Sequence, residues 1–239
     1  MGATAADRLR LAVVVPALNE SGRLPAMLKS LAAQTEPADR VIVADGGSTD
    51  GTTELARSLG AEVLVVTGRG RGGQVAAAVA ALAEDVVLVA HADMLVPPTA
   101  LAVVRRHLTA DPDCPGGCLG HRFDSPRRVY RLMEWFDRRR AERGKSYGDQ
   151  AQFFRRAWLD RVGGFPDQPM MEDVELSFRL RRLGRPAYLD LPVLVSPRRF
   201  EAYGLARAVW ANWRFRRAYR RGGVAACAAI YDRYYGHSR

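Results

Sequence analysis

Carboxylates stand at four places in this chain where a turn or a helix start would present them. Glu20 follows Leu11-Ala-Val-Val-Val15 and Pro16. Asp45 closes Val41-Ile-Val-Ala44. Asp93 follows Val86-Val-Leu-Val-Ala90 within His91-Ala-Asp93, and Glu172-Asp173 begins a helical pattern. In an open α/β sheet, ligands sit outside the carboxyl ends of the strands. Three acidic tips along one such edge therefore suggest a polar cleft, suited to a metal ion or a hydrogen-bonding ligand. The Glu172-Asp173 pair has a plainer reading as well, because a helix dipole favours acids at its start. Two basic stretches complete the set. Gly68-Arg-Gly-Arg-Gly-Gly-Gln74 could cradle phosphate with its glycines and Arg69 or Arg71, or could simply connect two elements. It lacks the Gly-Lys-Ser/Thr ending of a Walker A loop. Ser196-Pro-Arg-Arg-Phe200 adds Arg198 and Arg199, whose planar forks match phosphate oxygens.

The elements that must position these groups follow from apolar spacing. Leu11–Val15 reads as a first strand, stopped by Pro16. Leu24, Met27, Leu28 and Leu31 form the stripe of a helix. Val41–Ala44 is a second strand, and Gly46-Gly47 permits a sharp turn before a helix capped by Ser48 or Asp50. Val63–Val66 is a third strand, and the glycine-rich loop precedes an Ala-rich helix over 75–83. Val86–Ala90 is a fourth strand, and Pro97-Pro98 opens a helix through Leu101, Val104 and Leu108. This alternation predicts a parallel sheet with helices on both faces. The second half is less regular. It offers a strand near Gly120–Phe123, an exposed charged helix over Tyr130–Arg143, and a polar cluster Tyr147-Gly-Asp-Gln-Ala-Gln152 before Phe153-Phe154. A helix over 170–182 and a short strand Val193–Val195 follow.

Length and charge bound the function. The 239 residues suffice for one large domain or two small ones. No apolar run reaches the ~18 residues of a membrane span, and Met1–Arg10 lacks the apolar core of a signal peptide, so a cytoplasmic location is expected by default. Residues 1–120 carry 10 Lys+Arg against 13 Asp+Glu, a net of −3; residues 121–239 carry 26 against 13, a net of +13. The basic half is expected to meet an anion. Cys114, Cys118 and His121 have no fourth zinc ligand nearby in sequence, so the thiols read as reduced and structural. Over 203–221, Leu205, Ala208, Val209, Trp213, Phe215 and Tyr219 share one side of a helical wheel. Arg207, Arg214, Arg217 and Arg221 share the other with Trp210. Such a helix can lie on an anionic membrane, or pack on the domain with a solvated Arg face.

Taken together, Val15-Pro-Ala-Leu-Asn-Glu20, Val43-Ala-Asp-Gly-Gly-Ser-Thr-Asp-Gly-Thr52, His91-Ala-Asp93, Gly148-Asp-Gln150, Met171-Glu-Asp173 and Ser196-Pro-Arg-Arg-Phe200 resemble the family two glycosyltransferases, in particular their short, soluble, bacterial branch. The resemblance runs from Leu11 to about Tyr231. It implies an α/β GT-A fold with a Rossmann-like, mostly parallel sheet and a C-terminal helical tail. Residues 1–200 would form the catalytic domain, with a nucleotide-binding half over 11–95 and an acceptor half over 115–200; residues 201–239 would form the basic tail.

It further implies that Asn19, Glu20 and Asp45 hold the base and ribose of a nucleotide-diphosphate sugar, with Pro16, Arg71 and Ala92 in the same donor site. Asp93 matches the last carboxylate of an Asp-x-Asp motif and would bind Mg²⁺ or Mn²⁺. Asp173 matches the general base, Arg198 and Arg199 lie near the diphosphate, and Gly148, Asp149, Gln150 and Glu172 lie on the acceptor side. A UDP-sugar is the commonest donor in the family. His91 replaces the first carboxylate of the metal motif. Phe200 replaces a Trp, and a Gln is missing from the last motif, which argues against a polysaccharide-making role. Inverting transfer of one sugar to a small-molecule or lipid hydroxyl is the expectation, at the inner face of a membrane if the tail binds there. A nucleotidyltransferase, a polyanion binder and a degenerate transferase are the rivals. Ala17-Leu-Asn-Glu20 in place of a Gly-rich loop argues against the first. No nucleic-acid module is legible.

Overall fold

A computed structural model describes residues 8–235, with the side chains of Arg199, Ala229 and residues 231–235 outside that description. The first half alternates strand and helix: β1 (Leu11–Ala17), α1 (Leu24–Ala32), β2 (Arg40–Asp45), α2 (Thr52–Ser58), β3 (Glu62–Val65), α3 (Gly70–Ala80), β4 (Val86–Val89), β5 (Met94–Leu95) and α4 (Ala100–Ala110). The second half continues with β6 (Gly116–Phe123), α5 (Arg128–Ala141), a 3-10 turn (Gly148–Gln150), β7 (Gln152–Arg155), α6 (Arg156–Leu159), α7 (Glu172–Leu183), β8 (Ala187–Val195), α8 (Arg198–Tyr203) and α9 (Leu205–Tyr235). One sheet joins both halves in the order β3-β2-β1-β4-β7-β6-β8-β5.

The apolar strands are apolar throughout because both sheet faces are covered. Leu11, Val13 and Val15 face the α1 stripe and Leu101, Val104 and Leu108 of α4. Ala12 and Val14 face Val75, Ala78 and Val79 of α3 and Leu176 and Leu180 of α7. β1 pairs in parallel with β2 on one side and β4 on the other, so the strand order reverses between β1 and β4. That reversal opens a crevice at the carboxyl ends of the strands.

Several expected boundaries move for physical reasons. Pro16 does not end β1, which continues to Ala17 against Asp45. Val14 accepts from Ala90 N, so two residues on, Pro16 also faces the β4 side. β4 has ended there, and the N–H that proline lacks has no acceptor to miss. β7 runs antiparallel to both neighbours, which the regular alternation did not anticipate. The glycine-rich loop is the first turn of α3 rather than a connector. A Cβ on Gly72 would lie 2.2 Å from Gln168 O, and one on Gly70 would lie 2.6 Å from Pro169 Cα. These glycines let α3 press against the segment leading into α7.

The tail also differs from its wheel. Ala208, Ala211, Phe215 and Tyr219 are the buried side of α9, while Val209, Trp210 and Trp213 are exposed. Phe215, Tyr219 and Cys227 pack with Val174 of α7, and Tyr219 Oη donates to Glu175 at 2.7 Å. Cys227 reaches back to Phe215 because α9 bends at Gly222-Gly223, where the backbone leaves helical values. Among the described residues no helix is long and apolar enough to cross a membrane.

Candidate active site

Two turns close the donor-side end of the crevice, and they are stitched together. After β1, Asn19 adopts φ 54°. Its N–H donates to Ser48 Oγ at 2.9 Å, and its Oδ1 accepts from Thr49 N at 2.9 Å. Glu20 N donates to Thr52 Oγ1 and Ser21 N to Asp50 Oδ2. Asp45, only 1% exposed, accepts from Ser48 N at 3.0 Å and Ser48 Oγ at 2.6 Å, and also from Thr53 Oγ1. Burial would push its carboxyl up, but the Ser48 and Thr53 hydrogen bonds outweigh this and hold it below the ordinary carboxylate range. Asp45 makes these contacts within its own turn and the helix that follows. Pro16 and Ala92 are buried.

Glu20, Asp93 and Arg198 meet although far apart in sequence. Arg198 Nη2 lies 2.6 Å from Glu20 Oε1 and 3.3 Å from Asp93 Oδ2. The backbone of Arg199 continues α8; its side chain lies outside the described residues. Asp93 offers one part-exposed carboxylate with Arg198 beside it. This donor set fits a divalent cation held chiefly by the phosphates of a ligand and by water, not a cation held by protein alone.

A second cluster forms on the acceptor side. Met171, at φ 61°, turns the chain into α7. Asp173 Oδ2 accepts from Gly148 N at 2.7 Å, and its Oδ1 faces its own Val174 N at 2.9 Å. Arg71 pairs with Glu172 through Nε, and its Nη2 lies 3.9 Å from Asp173. α3 carries Arg71 to the acidic start of α7, with its side chain still partly exposed. Glu172 is almost fully buried. Burial raises its carboxyl, Arg71 opposes that, and the neighbouring Asp173 charge adds to it; the outcome is upward. His91 sits where the motif's first carboxylate would be. Burial and the nearby Arg71 charge hold its pKa down to about 4, so the ring is neutral at pH 7.

His91 and Asp173 leave no room between them for a side chain at Gly148. A Cβ there would be 2.8 Å from His91 Nε2 and 3.2 Å from Asp173 Oδ2. Gly148→Ala is expected to cost about 1–3 kcal/mol of stability by overpacking. It should also displace Asp173 and so reduce turnover more than donor affinity. Thermal melts with kcat and donor KM check this; unchanged kcat would show that the fit is not needed. Gln150 lies behind the turn, fully buried, with Oε1 accepting from Arg140 and Tyr147 N. Asp149 is the third member of this turn. Burial would raise its carboxyl, but the neighbouring His121 and Arg140 bring it below the ordinary value. Arg140, Asp137 and Gln152 carried no functional expectation in the sequence, and His121 only one with Cys114 and Cys118. Gln152 donates to Asp173 O at 3.0 Å and Ser146 Oγ at 2.8 Å, and its place in Gly-Asp-Gln-Ala-Gln was the one available signal.

The order β3-β2-β1-β4 with acids at the crevice, followed by a mixed second half, is the GT-A glycosyltransferase architecture. The structure of the mannosyltransferase PcManGT from Pyrobaculum calidifontis in complex with GDP-Man and Mn²⁺ superposes with a TM-score of 0.65. It is 26% identical, covering 88% of this chain and 61% of that one. Staphylococcus aureus TarS shares the fold at TM-score 0.65 and 19% identity, over 85% of this chain and 40% of that one. The glycosyl transferase family 2 model matches residues 12–161, and the chain belongs to that family. The succinoglycan biosynthesis protein ExoA of Rhizobium meliloti is 47% identical over 51 residues, 21% of this chain and 16% of that protein. The match thus spans only a small part of that relative's length.

Proposed function

We propose that this glycosyltransferase moves one sugar, with inversion, from a nucleotide-diphosphate sugar to an acceptor hydroxyl. The observation that carries the reading is the presence of two charged clusters at one strand edge, Glu20–Arg198–Asp93 and Arg71–Glu172–Asp173. Donor and acceptor would meet between them, with residues 11–95 serving the donor and 115–200 the acceptor. Asn19 and Glu20 would contact the nucleoside, while Asp45 holds the turn that presents them. Asp93 would share a Mg²⁺ or Mn²⁺ ion with the diphosphate, and that ion would supply Lewis-acid stabilisation of the leaving group. Arg198, and Arg199 beside it in sequence, would bear on the same developing charge.

In the transfer, the acceptor oxygen bonds to the anomeric carbon from the face opposite the diphosphate. Its proton passes to an Asp173 oxygen. The anomeric C–O bond breaks, and its electron pair leaves with the nucleoside diphosphate. Gly148 N–H fixes the Asp173 carboxylate for this task, and Arg71 neutralises Glu172 behind it. The neutral His91 adds no second anion at the metal motif. Release of nucleoside diphosphate from UDP- and GDP-sugars, with Mn²⁺ and with small sugars or lipid alcohols as acceptors, tests the reading. Acceptor-dependent release with an inverted anomeric product is expected. Phosphoryl or nucleotidyl products would favour the nucleotidyltransferase instead.

A lipid acceptor and peripheral membrane contact at the cytoplasmic face belong to the same reading. α9 exposes Val209, Trp210 and Trp213, with Arg214 over Trp210 at 4.6 Å and Arg217 over Trp213 at 5.4 Å. α5 exposes Leu132, Trp135 and Phe136, with Arg139 over Trp135. Both helices reach Tyr147, next to Gly148, through Arg140 and Arg216. Aromatic rings beside arginines suit an anionic lipid interface. Flotation with phosphatidylglycerol vesicles is expected to carry the protein up at low salt, and Trp210→Ser with Trp213→Ser should reduce the floated fraction several-fold. Equal flotation of the double variant would reject this surface.

A further inference from the structure

Behind the acceptor-side turn lies a group that the transfer reaction does not use. His121 on β6, Asp137 on α5 and Asp149 in the 3-10 turn bring one donor atom each within 4.8 Å of one another. The His121 side chain is 1% exposed, and its Nε2 stands 3.5 Å from Asp137 Oδ2. Neither His121 Nε2 nor Asp149 Oδ1 has a hydrogen-bond partner among the described residues. Two buried, unpartnered polar atoms in one small cluster are costly unless something satisfies them.

The charges give the same indication. Arg140 pairs with the other side of Asp137, and Arg71 lies within electrostatic reach of Asp149. Burial and the facing Asp149 charge push the Asp137 carboxyl above its usual value, against the pull of Arg140. One more positive charge would satisfy the cluster.

We propose that His121, Asp137 and Asp149 bind a structural divalent cation, distinct from any ion at Asp93. One imidazole and two carboxylates suit a borderline ion such as Zn²⁺ or Mn²⁺. Metal–ligand bonds of about 2.0–2.2 Å would need only small side-chain shifts from the present spacing. Because Asp149 shares its turn with Gly148, whose N–H holds Asp173, the ion would pin the turn that positions the base.

The test is titration of untagged, EDTA-stripped protein with Zn²⁺ or Mn²⁺ alone, without nucleotide, read by calorimetry and metal analysis. One equivalent should bind and raise Tm. His121→Asn and the more conservative Asp137→Asn should each weaken binding by more than about tenfold, while Asp93→Asn should leave it intact. Absence of stoichiometric binding would overturn the proposal, and so would loss in Asp93→Asn with retention in His121→Asn.

Discussion

Asp173→Asn is expected to lower kcat by about 10²–10⁴-fold, the range attributable to a general base, while the affinity for the donor stays near that of the wild type. The argument rests on what the substitution leaves alone. An Asn oxygen still accepts from Gly148 N, at 2.7 Å in the native carboxylate, so the turn keeps its anchor. The proposed donor contacts are at Asn19, Glu20 and Arg198, which make their contacts in the other cluster. Only the capacity to take the acceptor proton is lost. Steady-state kinetics with a separate donor-binding titration checks both halves. Near-normal kcat would remove Asp173 from the chemistry; loss of donor binding would mean that the two clusters are not independent.

The second large effect is expected at Arg198. Its guanidinium bridges Glu20 and Asp93 and stands where a leaving diphosphate would gather charge. Arg198→Ala should cost about 10²–10³-fold in kcat, the scale of removing one preorganised electrostatic donor. Arg198→Lys should recover only part, because an ammonium keeps the charge but lacks the further guanidinium nitrogens that could meet phosphate oxygens. Donor affinity should fall as well, since the two acids would then face each other without a cation. Unchanged kcat in Arg198→Ala would confine this residue to holding α8 in place.

Much of this was legible in the sequence because it depends on local chemistry. Apolar runs and the α1 stripe announced the first half of the sheet, and the ends of those runs placed Glu20, Asp45 and Asp93 at its carboxyl edge. What was missed depends on contacts made across the fold. The pairing of Arg71 with Glu172 arises because α3 packs on the segment before α7. Tyr130 sits in a helix whose composition reads as charged and exposed, yet it is fully buried and its ring lies 4.8 Å from that of Phe123. The α9 wheel was turned because Val174 and Glu175 of α7, not the helix's own periodicity, choose which side is covered. β7 carries no signal of its direction, since four residues fit either orientation. His121, Asp137 and Asp149 are separated along the chain and are joined only by β6, α5 and the 3-10 turn.

The central claim is that the strand-edge crevice holds a nucleotide-diphosphate sugar. Thermal melting across a panel of nucleoside diphosphates and their sugars, with and without Mn²⁺, measures that most directly. At ligand about 100-fold above Kd, binding adds about 2.7 kcal/mol, or roughly 5–10 °C for a chain of this size. The account predicts such a shift for one nucleotide base over the others, enhanced by Mn²⁺ and preserved in Asp173→Asn. No shift with any nucleotide at saturating concentration would contradict it.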